Sequence, residues 1–323
     1  MNPAKQHKMT SSKSANDMQA NVVVIGSLNM DLVTRAPRMP APGETLVGDS
    51  FVTVPGGKGA NQAVAAARLG AGVAMIGCVG DDAYGEQLRK ALLDEQIDCQ
   101  GVTAVAGVST GIASIMVDAN GQNAIVIVAG GNGHLTPEVV KRFDALLVRA
   151  DVVICQLEVP MESVAHVLCR ARELGKTVIL NPAPAAAPLP SAWYSMVDYL
   201  IPNESEAAML TGLAVDSLAS AETAAKALLT AGVRKVIVTL GEQGALFASA
   251  KGVVHFPAPK VTALDTTAAG DTFVGGFAAA LAEGRSEIQA IRFAQAAAAL
   301  SVTRRGAQPS IPILAEVKDI DPA

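Results

Sequence analysis

Val22-Val23-Val24-Ile25-Gly26-Ser27 is the stretch on which the fold reading turns. Its four apolar, β-branched residues run without alternation and stop at two small ones, as expected of a strand buried on both faces. Such strands belong to parallel sheets covered by helices on either side. Outward from it, helical texture starts near Asn61, with Val64, Ala65, Arg68 and Leu69 before Gly70; strand 73–78 and helix 84–95 follow. From about 135 the chain alternates steadily: helix 137–148, strand 152–157, helix 161–174, strand 177–181, strand 198–201, helix 204–211, helix 221–231 and strand 235–240. Strands 245–248 and 252–256, a helix opening after 268 and an Ala-rich helix with a Ser286/Gln289 capping box complete the run. Short connections between strands and helices imply right-handed crossovers, hence an α/β fold with a doubly wound, mostly parallel sheet and helices on both faces.

Two segments depart from this pattern. Residues 31–56 carry Pro37, Pro40, Pro42 and Gly43 before a semi-alternating strand over Thr45–Val54. Residues 102–128 are strand-like, with Ile112–Val117 and Ala124–Val128 joined through Asn120-Gly121, a hairpin signal. They predict a small antiparallel β lid, with strands from 32–56 and 102–130, on a single domain spanning 21–315. Residues 1–20, polar and without an apolar h-region, are expected to be a disordered lead-in, and 316–323 a C-terminal tail.

Composition narrows the function. A net charge of −5 and 3% aromatic residues argue against nucleic-acid binding, and no apolar run reaches the roughly 18 residues of a membrane span. Cys78, Cys99, Cys155 and Cys169 lie apart without a CxxC pair and read as reduced core residues of a cytoplasmic protein. The histidines are scattered without zinc-ligand spacing.

In a doubly wound sheet, ligands bind beyond the carboxyl ends of the strands. Asn29 and Asp31, Glu158, Asn181, and Asn203 with Glu206 follow strands in this way. Each alone reads as a cap or turn residue; converging on one rim, they line a site. The glycine-rich Pro55-Gly56-Gly57-Lys58-Gly59-Ala60-Asn61-Gln62 lacks the spacing of a Walker A loop, and no GxGxxG follows the first strand. It reads either as a hinge or as a backbone wrapped around a small polar ligand. Asp265-Thr266-Thr267-Ala268-Ala269-Gly270-Asp271-Thr272-Phe273 leads into a helix whose Phe273, Phe277 and Leu281 share a face and which Gly284 closes. Small residues before a helix N-terminus make an anion site. Asp271 is then either a first-turn acid complementing the helix dipole or a general base acting on a hydroxyl that attacks a phosphoryl group.

The stretch from Asp265 to Asp271 resembles the DTxGAGD signature of the ribokinase family of sugar and nucleoside kinases (the PfkB kinases), and Gly56–Gln62 resembles its GGKGANQ signature. Gly26–Asp31, Pro202–Glu206 and Gly306–Ser310 are similar to further segments of that family in the same order, so the resemblance covers about 21–315. It implies ATP-dependent phosphorylation of the 5-hydroxyl of D-ribose, with Asp271 as base and the N–H groups of Ala268, Ala269, Gly270 and Asp271 as anion hole. By the same resemblance, Asn29, Asp31, Gly57, Lys58, Gly59, Ala60, Asn61, Glu158 and Asp271 hold the sugar. Asn203, Thr239, Leu240, Gly241, Glu242, Gln243, Gly244, Gly270, Asp271 and Gln295 face ATP. Glu206 organises Mg²⁺ indirectly, and Asp265, Thr267, Ser301, Arg304, Gly306 and Ser310 surround K⁺. Ala268 stands where the family signature begins its glycine pair, and Gln295 where members often carry a histidine near adenine. A homodimer through the lid sheet completes the expectation. The alternatives are a kinase of the same family acting on 2-deoxyribose or a nucleoside, and a non-catalytic ribose- or nucleotide-binding regulator.

Overall fold

The computed structural model describes residues 21–318. The expected lead-in over 1–20 lies outside the described residues. Of the expected tail, residues 316–318 belong to a helix over Leu314–Lys318, and the rest also lies outside them.

In chain order the strands are β1 Val22–Ile25, β2 Asn29–Arg35, β3 Ser50–Gly56, β4 Val73–Gly80, β5 Asp98–Val105, β6 Gly111–Val117, β7 Asn123–Val128, β8 Val152–Cys155, β9 Thr177–Leu180, β10 Tyr199–Leu200, β11 Lys235–Thr239, β12 Ala245–Ser249 and β13 Gly252–Phe256. Nine form one sheet in the order β13-β12-β11-β10-β9-β8-β1-β4-β5. All pairings from β11 to β5 are parallel, and the β11–β12 and β12–β13 pairings at one edge are antiparallel. β1 sits inside this sheet, and its alternate residues serve two cores. Val22 and Val24 join the cluster under helices Lys58–Arg68, Ala269–Ala282 and Glu287–Ser301, whereas Val23 and Ile25 join the cluster under Met161–Glu173 and Leu218–Thr230. The unbroken apolar run of β1 therefore reflects burial on both faces, as the parallel-sheet argument requires.

The remaining strands form the small sheet, in the order β3-β2-β6-β7. Its two outer pairings are antiparallel, and the central β2–β6 pairing is parallel. The expected lid strands need two refinements. β5, which overlaps the start of the 102–130 stretch, pairs with β4 at the edge of the large sheet and packs Cys99 and Val102 into the core. The strand of the 31–56 segment starts at Ser50, and Asn29–Arg35 is itself a strand. The expected helix over 137–148 is two short ones, Pro137–Lys141 and Asp144–Arg149, broken at Arg142-Phe143. Cys78, Cys99 and Cys155 are buried, but Cys169 is exposed on the outer side of its helix, which corrects its reading as a core residue.

Candidate active site

The site forms where carboxyl ends of the large sheet meet the starts of two helices. Helix Lys58–Arg68 begins directly after β3, and Gly59 packs its backbone onto the turn after β1: a Cβ there would lie 2.6 Å from the Ser27 nitrogen and 2.7 Å from the Gly26 carbonyl carbon. That close approach needs glycine. It also lets the Ala60 N–H donate to the Ser27 carbonyl at 2.9 Å. Glu158 ties the junction together, as its Oε2 accepts from the Ser27 hydroxyl at 2.5 Å and from the Lys58 N–H at 3.1 Å. Asn29 is buried, and its Oδ1 accepts from Asn132 Nδ2 at 2.8 Å; Asn132 also bonds both the N–H and the carbonyl of Leu28.

Asp271 lies in the first turn of helix Ala269–Ala282 and is 8% exposed. Its Oδ2 accepts from Asn61 Nδ2 at 3.0 Å and its Oδ1 from Gln62 Nε2 at 2.9 Å. Ala268 caps the helix in the left-handed region at φ 59°, a conformation that costs an L-residue roughly 1–2 kcal/mol. The resulting turn directs the Ala269 N–H to the Thr266 carbonyl at 3.2 Å. Among the described residues, no acceptor takes the N–H of Ala268, Gly270 or Asp271. Three of the four expected anion-hole donors are thus free, and the one on Ala269 is occupied.

A cleft of about 220 Å³ opens at this helix start, lined by Lys58, Asn181, Asn203, Glu206, Thr239, Thr266 and Ala268–Asp271 among others. Asn203 is at once a helix cap and a wall residue: Glu206 N–H donates to its Oδ1 at 2.8 Å, and Glu206 Oε2 accepts the Asn203 N–H at 2.9 Å. Of the Thr239–Gly244 turn, Thr239 reaches the wall, while Leu240 to Gly244 form a tight turn closed by Leu240 N–H on the Gly244 carbonyl at 2.8 Å. Gln295 is not on the wall. It is buried, and its amide donates to the Phe256 carbonyl at 2.9 Å. Asn29, Asp31, Gly57 and Glu158 form an adjoining group that meets the cleft through Lys58 and Asn61.

Charge is concentrated here. Burial first, then Glu158 and Asp271, pushes the Asp31 carboxyl up to about 7. Burial lowers Lys58, but Asp271, Glu158 and Glu206 outweigh it and raise its pKa. Burial also raises Glu206, with the Asp271 charge adding to it and the Asn203 N–H and Lys58 opposing. A carboxylate cluster around one ammonium offers acceptors for hydroxyl groups on one side and a positive charge for an anion on the other. Among the described residues, no three His, Cys, Asp or Glu gather to hold a metal on their own.

The segments assigned to a monovalent cation also converge. Asp265 Oδ1 accepts from the Thr267 N–H at 3.0 Å and hydroxyl at 2.6 Å, and its Oδ2 from the Gly306 N–H at 2.9 Å. Burial raises Asp265, but these bonds outweigh it and hold its pKa low. The Ser301 carbonyl accepts the Arg304 N–H, the Arg304 side chain pairs with Glu316, and the Ser310 hydroxyl donates to the Ala307 carbonyl.

Sequence reasoning missed Asn132, Gln156 and the role of Gln62. Asn132 sits in Gly130-Gly131-Asn132-Gly133, a glycine-rich turn after a strand, which was a usable signal. Gln62 and Gln156 carried none, since a glutamine in a helix or at a strand end has no distinctive spacing.

A doubly wound sheet with a small sheet beside it, and a carboxylate set against free N–H donors at a helix start, is the architecture of a small-molecule phosphotransferase. A family model described as pfkB family carbohydrate kinase matches residues 19–314, and the chain belongs to that family. It is 45% identical over 296 residues to the ribokinase of Haemophilus influenzae, spanning 91% of this chain and 96% of that one. It is 40% identical over 299 residues to the deoxyribokinase of Salmonella typhi, spanning 93% and 98%. The structure of Arabidopsis thaliana ribokinase complexed with ribose and ATP matches with a TM-score of 0.89 at 34% identity, covering 94% of this chain and 99% of that one.

Proposed function

We propose that this chain transfers the γ-phosphoryl group of ATP to the 5-hydroxyl of D-ribose, giving ribose 5-phosphate, with Asp271 as general base. The observation that carries the reading is the Asp271 carboxylate, held by two amides in the same helical turn as the unpaired N–H groups of Gly270 and Asp271. The hydroxyl proton passes to Asp271 as the hydroxyl oxygen attacks the γ-phosphorus and the bond from that phosphorus to the β,γ-bridging oxygen breaks, releasing ADP; the free N–H groups with Lys58 stabilise the charge that develops on the phosphoryl oxygens. Among the described residues Asn61 Oδ1 is buried without a partner, which suits an acceptor for a sugar hydroxyl. Asn29, Asp31, the Gly57–Ala60 backbone and Glu158 supply the remaining sugar contacts. Asn203, Thr239 and the turn to Gly244 face the nucleotide, with Gln295 acting behind them through Phe256.

Glu206 on the cleft wall would help to hold Mg²⁺, which would supply charge neutralisation for the phosphates. The carbonyls of Thr267, Arg304 and Gly306 accept no backbone N–H among the described residues, which suits K⁺, an ion bound by neutral oxygens; Asp265, Ser301 and Ser310 brace these segments. The small sheet leaves apolar residues uncovered on β7 and β3, which suits a homodimer through the lid. Among the described residues no helix is long and apolar enough to cross a membrane, and the reading puts the enzyme in the cytoplasm, where ATP and reduced thiols are found.

The likeness to Salmonella deoxyribokinase favours 2-deoxyribose as the second reading. Turnover of ATP across a panel of pentoses and nucleosides tests both. The highest kcat/KM is expected on ribose; a higher value on 2-deoxyribose or a nucleoside replaces the substrate, and no sugar-dependent ATP consumption overturns the kinase reading. Full activity without K⁺ overturns the cation assignment.

A further inference from the structure

Gln62 and Gln156 are both fully buried and neither belongs to the substrate set above; Gln62 bonds Asp271 directly, and Gln156 stands behind Gln62. Gln156 follows β8, Asn181 follows β9 and Ile201 follows β10, three neighbouring strands of the large sheet. Asn181 Nδ2 donates to the Ile201 carbonyl at 2.9 Å, Gln62 Nε2 donates to Asn181 Oδ1 at 3.0 Å and to Asp271 Oδ1 at 2.9 Å, and Gln156 Nε2 donates to Gln62 Oε1 at 2.6 Å.

The direction of every bond follows from the chain's two ends. A backbone carbonyl only accepts, so Asn181 must turn its NH₂ to Ile201 and its oxygen to Gln62. A carboxylate also only accepts, so Gln62 lies between two acceptors, spends both amide protons on them and must turn its oxygen to Gln156. No other amide orientation satisfies these contacts. Gln62 reaches Asp271 because its helix crosses Ala269–Ala282 at very short range: a Cβ on Gly275 would lie 2.6 Å from the Gln62 carbonyl oxygen and 2.5 Å from Ala65 Cβ.

We propose that Gln62 is the positioning residue of the base: its amide, with polarity set by the carboxyl ends of β8, β9 and β10, fixes the Asp271 carboxylate toward the reacting hydroxyl. The inference rests on the reading of Asp271 as the base. Gln62 touches no substrate in this scheme and meets the reacting groups through Asp271, so its effect should fall on turnover and vanish when the base is gone.

The test uses the full chain with ribose and ATP. Gln62→Met keeps length and burial but cannot donate; kcat should fall about 10- to 100-fold while the sugar KM stays within about threefold. Gln62→Glu, closer in shape, should be worse than Gln62→Met, because it sets a second carboxyl against Asp271. The double variant Gln62→Met/Asp271→Asn should turn over no more slowly than Asp271→Asn, as expected of residues acting as one unit. Equal losses in both backgrounds, or a Gln62→Met kcat within about twofold of the parent, overturn the inference. Near-normal turnover of Asp271→Asn alone would instead sink the base reading, so the two failures are distinguishable. Should Gln62→Met not fold, Gln156→Met leaves the Gln62–Asp271 bond in place and carries the same double-variant test, with an expected kcat loss of about 3- to 10-fold and an unchanged kcat overturning it.

Discussion

In β1 of the large sheet Val22, Val23, Val24 and Ile25 are each 0% exposed, whereas in β7 of the small sheet Ile125, Val126, Ile127 and Val128 are 51, 66, 51 and 48% exposed. The two runs are alike in composition and opposite in fate. β1 has helices over both faces, so each residue enters one of two cores. Among the described residues β7 is an edge strand paired only with β6. The comparison teaches that an apolar run states a demand for cover without saying who supplies it. The proposed site lies between these extremes: Asp271 opens a helix packed on the large sheet, while the proposed sugar contacts Asn29 and Asp31 belong to a strand of the exposed sheet.

Four experiments would break or sharpen that contrast. The largest effect is expected on the rigid side, where Asp271→Asn should lower kcat about 10²- to 10⁴-fold with sugar binding retained, measured by steady-state kinetics beside direct ribose titration. Next, Gly59→Ala forces a Cβ into backbone at the β1 turn and should cost about 1–3 kcal/mol in denaturant melts; an unchanged midpoint would show that this junction yields.

The third concerns pH. Because the folded Asp31 carboxyl is raised to about 7 from 3.8, the native state holds a proton between those values that the unfolded chain has released. Its contribution is therefore fully present below the unfolded value and is lost as pH rises toward 7, at up to about 1.4 kcal/mol per pH unit. Asp31→Asn should remove this decline from a stability-against-pH profile, and an identical slope in the variant would exclude Asp31 as its source.

The smallest effect on the fold is expected at β7. Ile125→Glu/Ile127→Glu and Val126→Glu/Val128→Glu present opposite faces of the strand. One pair should convert a dimer to a monomer in light scattering while changing monomer stability by only about 0.5 kcal/mol. A mass unaffected by either pair refutes dimerisation through this sheet.

Much of this was legible in advance for definite reasons. The order of strands and helices followed from periodicity, and the polar strand ends from a rule about doubly wound sheets. Asn203 shows the limit of local odds: it caps its helix and also lines the cleft, so the two readings were never exclusive. The parallel β2–β6 pairing was not legible, because it joins segments about eighty residues apart in the chain. Nor was the loss of the Ala269 donor, which depends on the left-handed turn at Ala268. Gln295 marks a third case, where the resemblance suggested a nucleotide contact and the side chain is instead committed to the Phe256 carbonyl.

By itself the sequence determined the doubly wound sheet, the family signatures and the identity of the carboxylate at the helix start, because these rest on local pattern and on motifs contiguous in the chain. Only the tertiary structure decided which oxygen of Asp271 meets which amide, that Gln62 joins its neighbour Asn61 on that carboxylate, and which apolar strands lack cover. Those outcomes depend on helices crossing at a glycine and on three strand ends lying side by side, and no spacing along one chain encodes the distance between two of its segments.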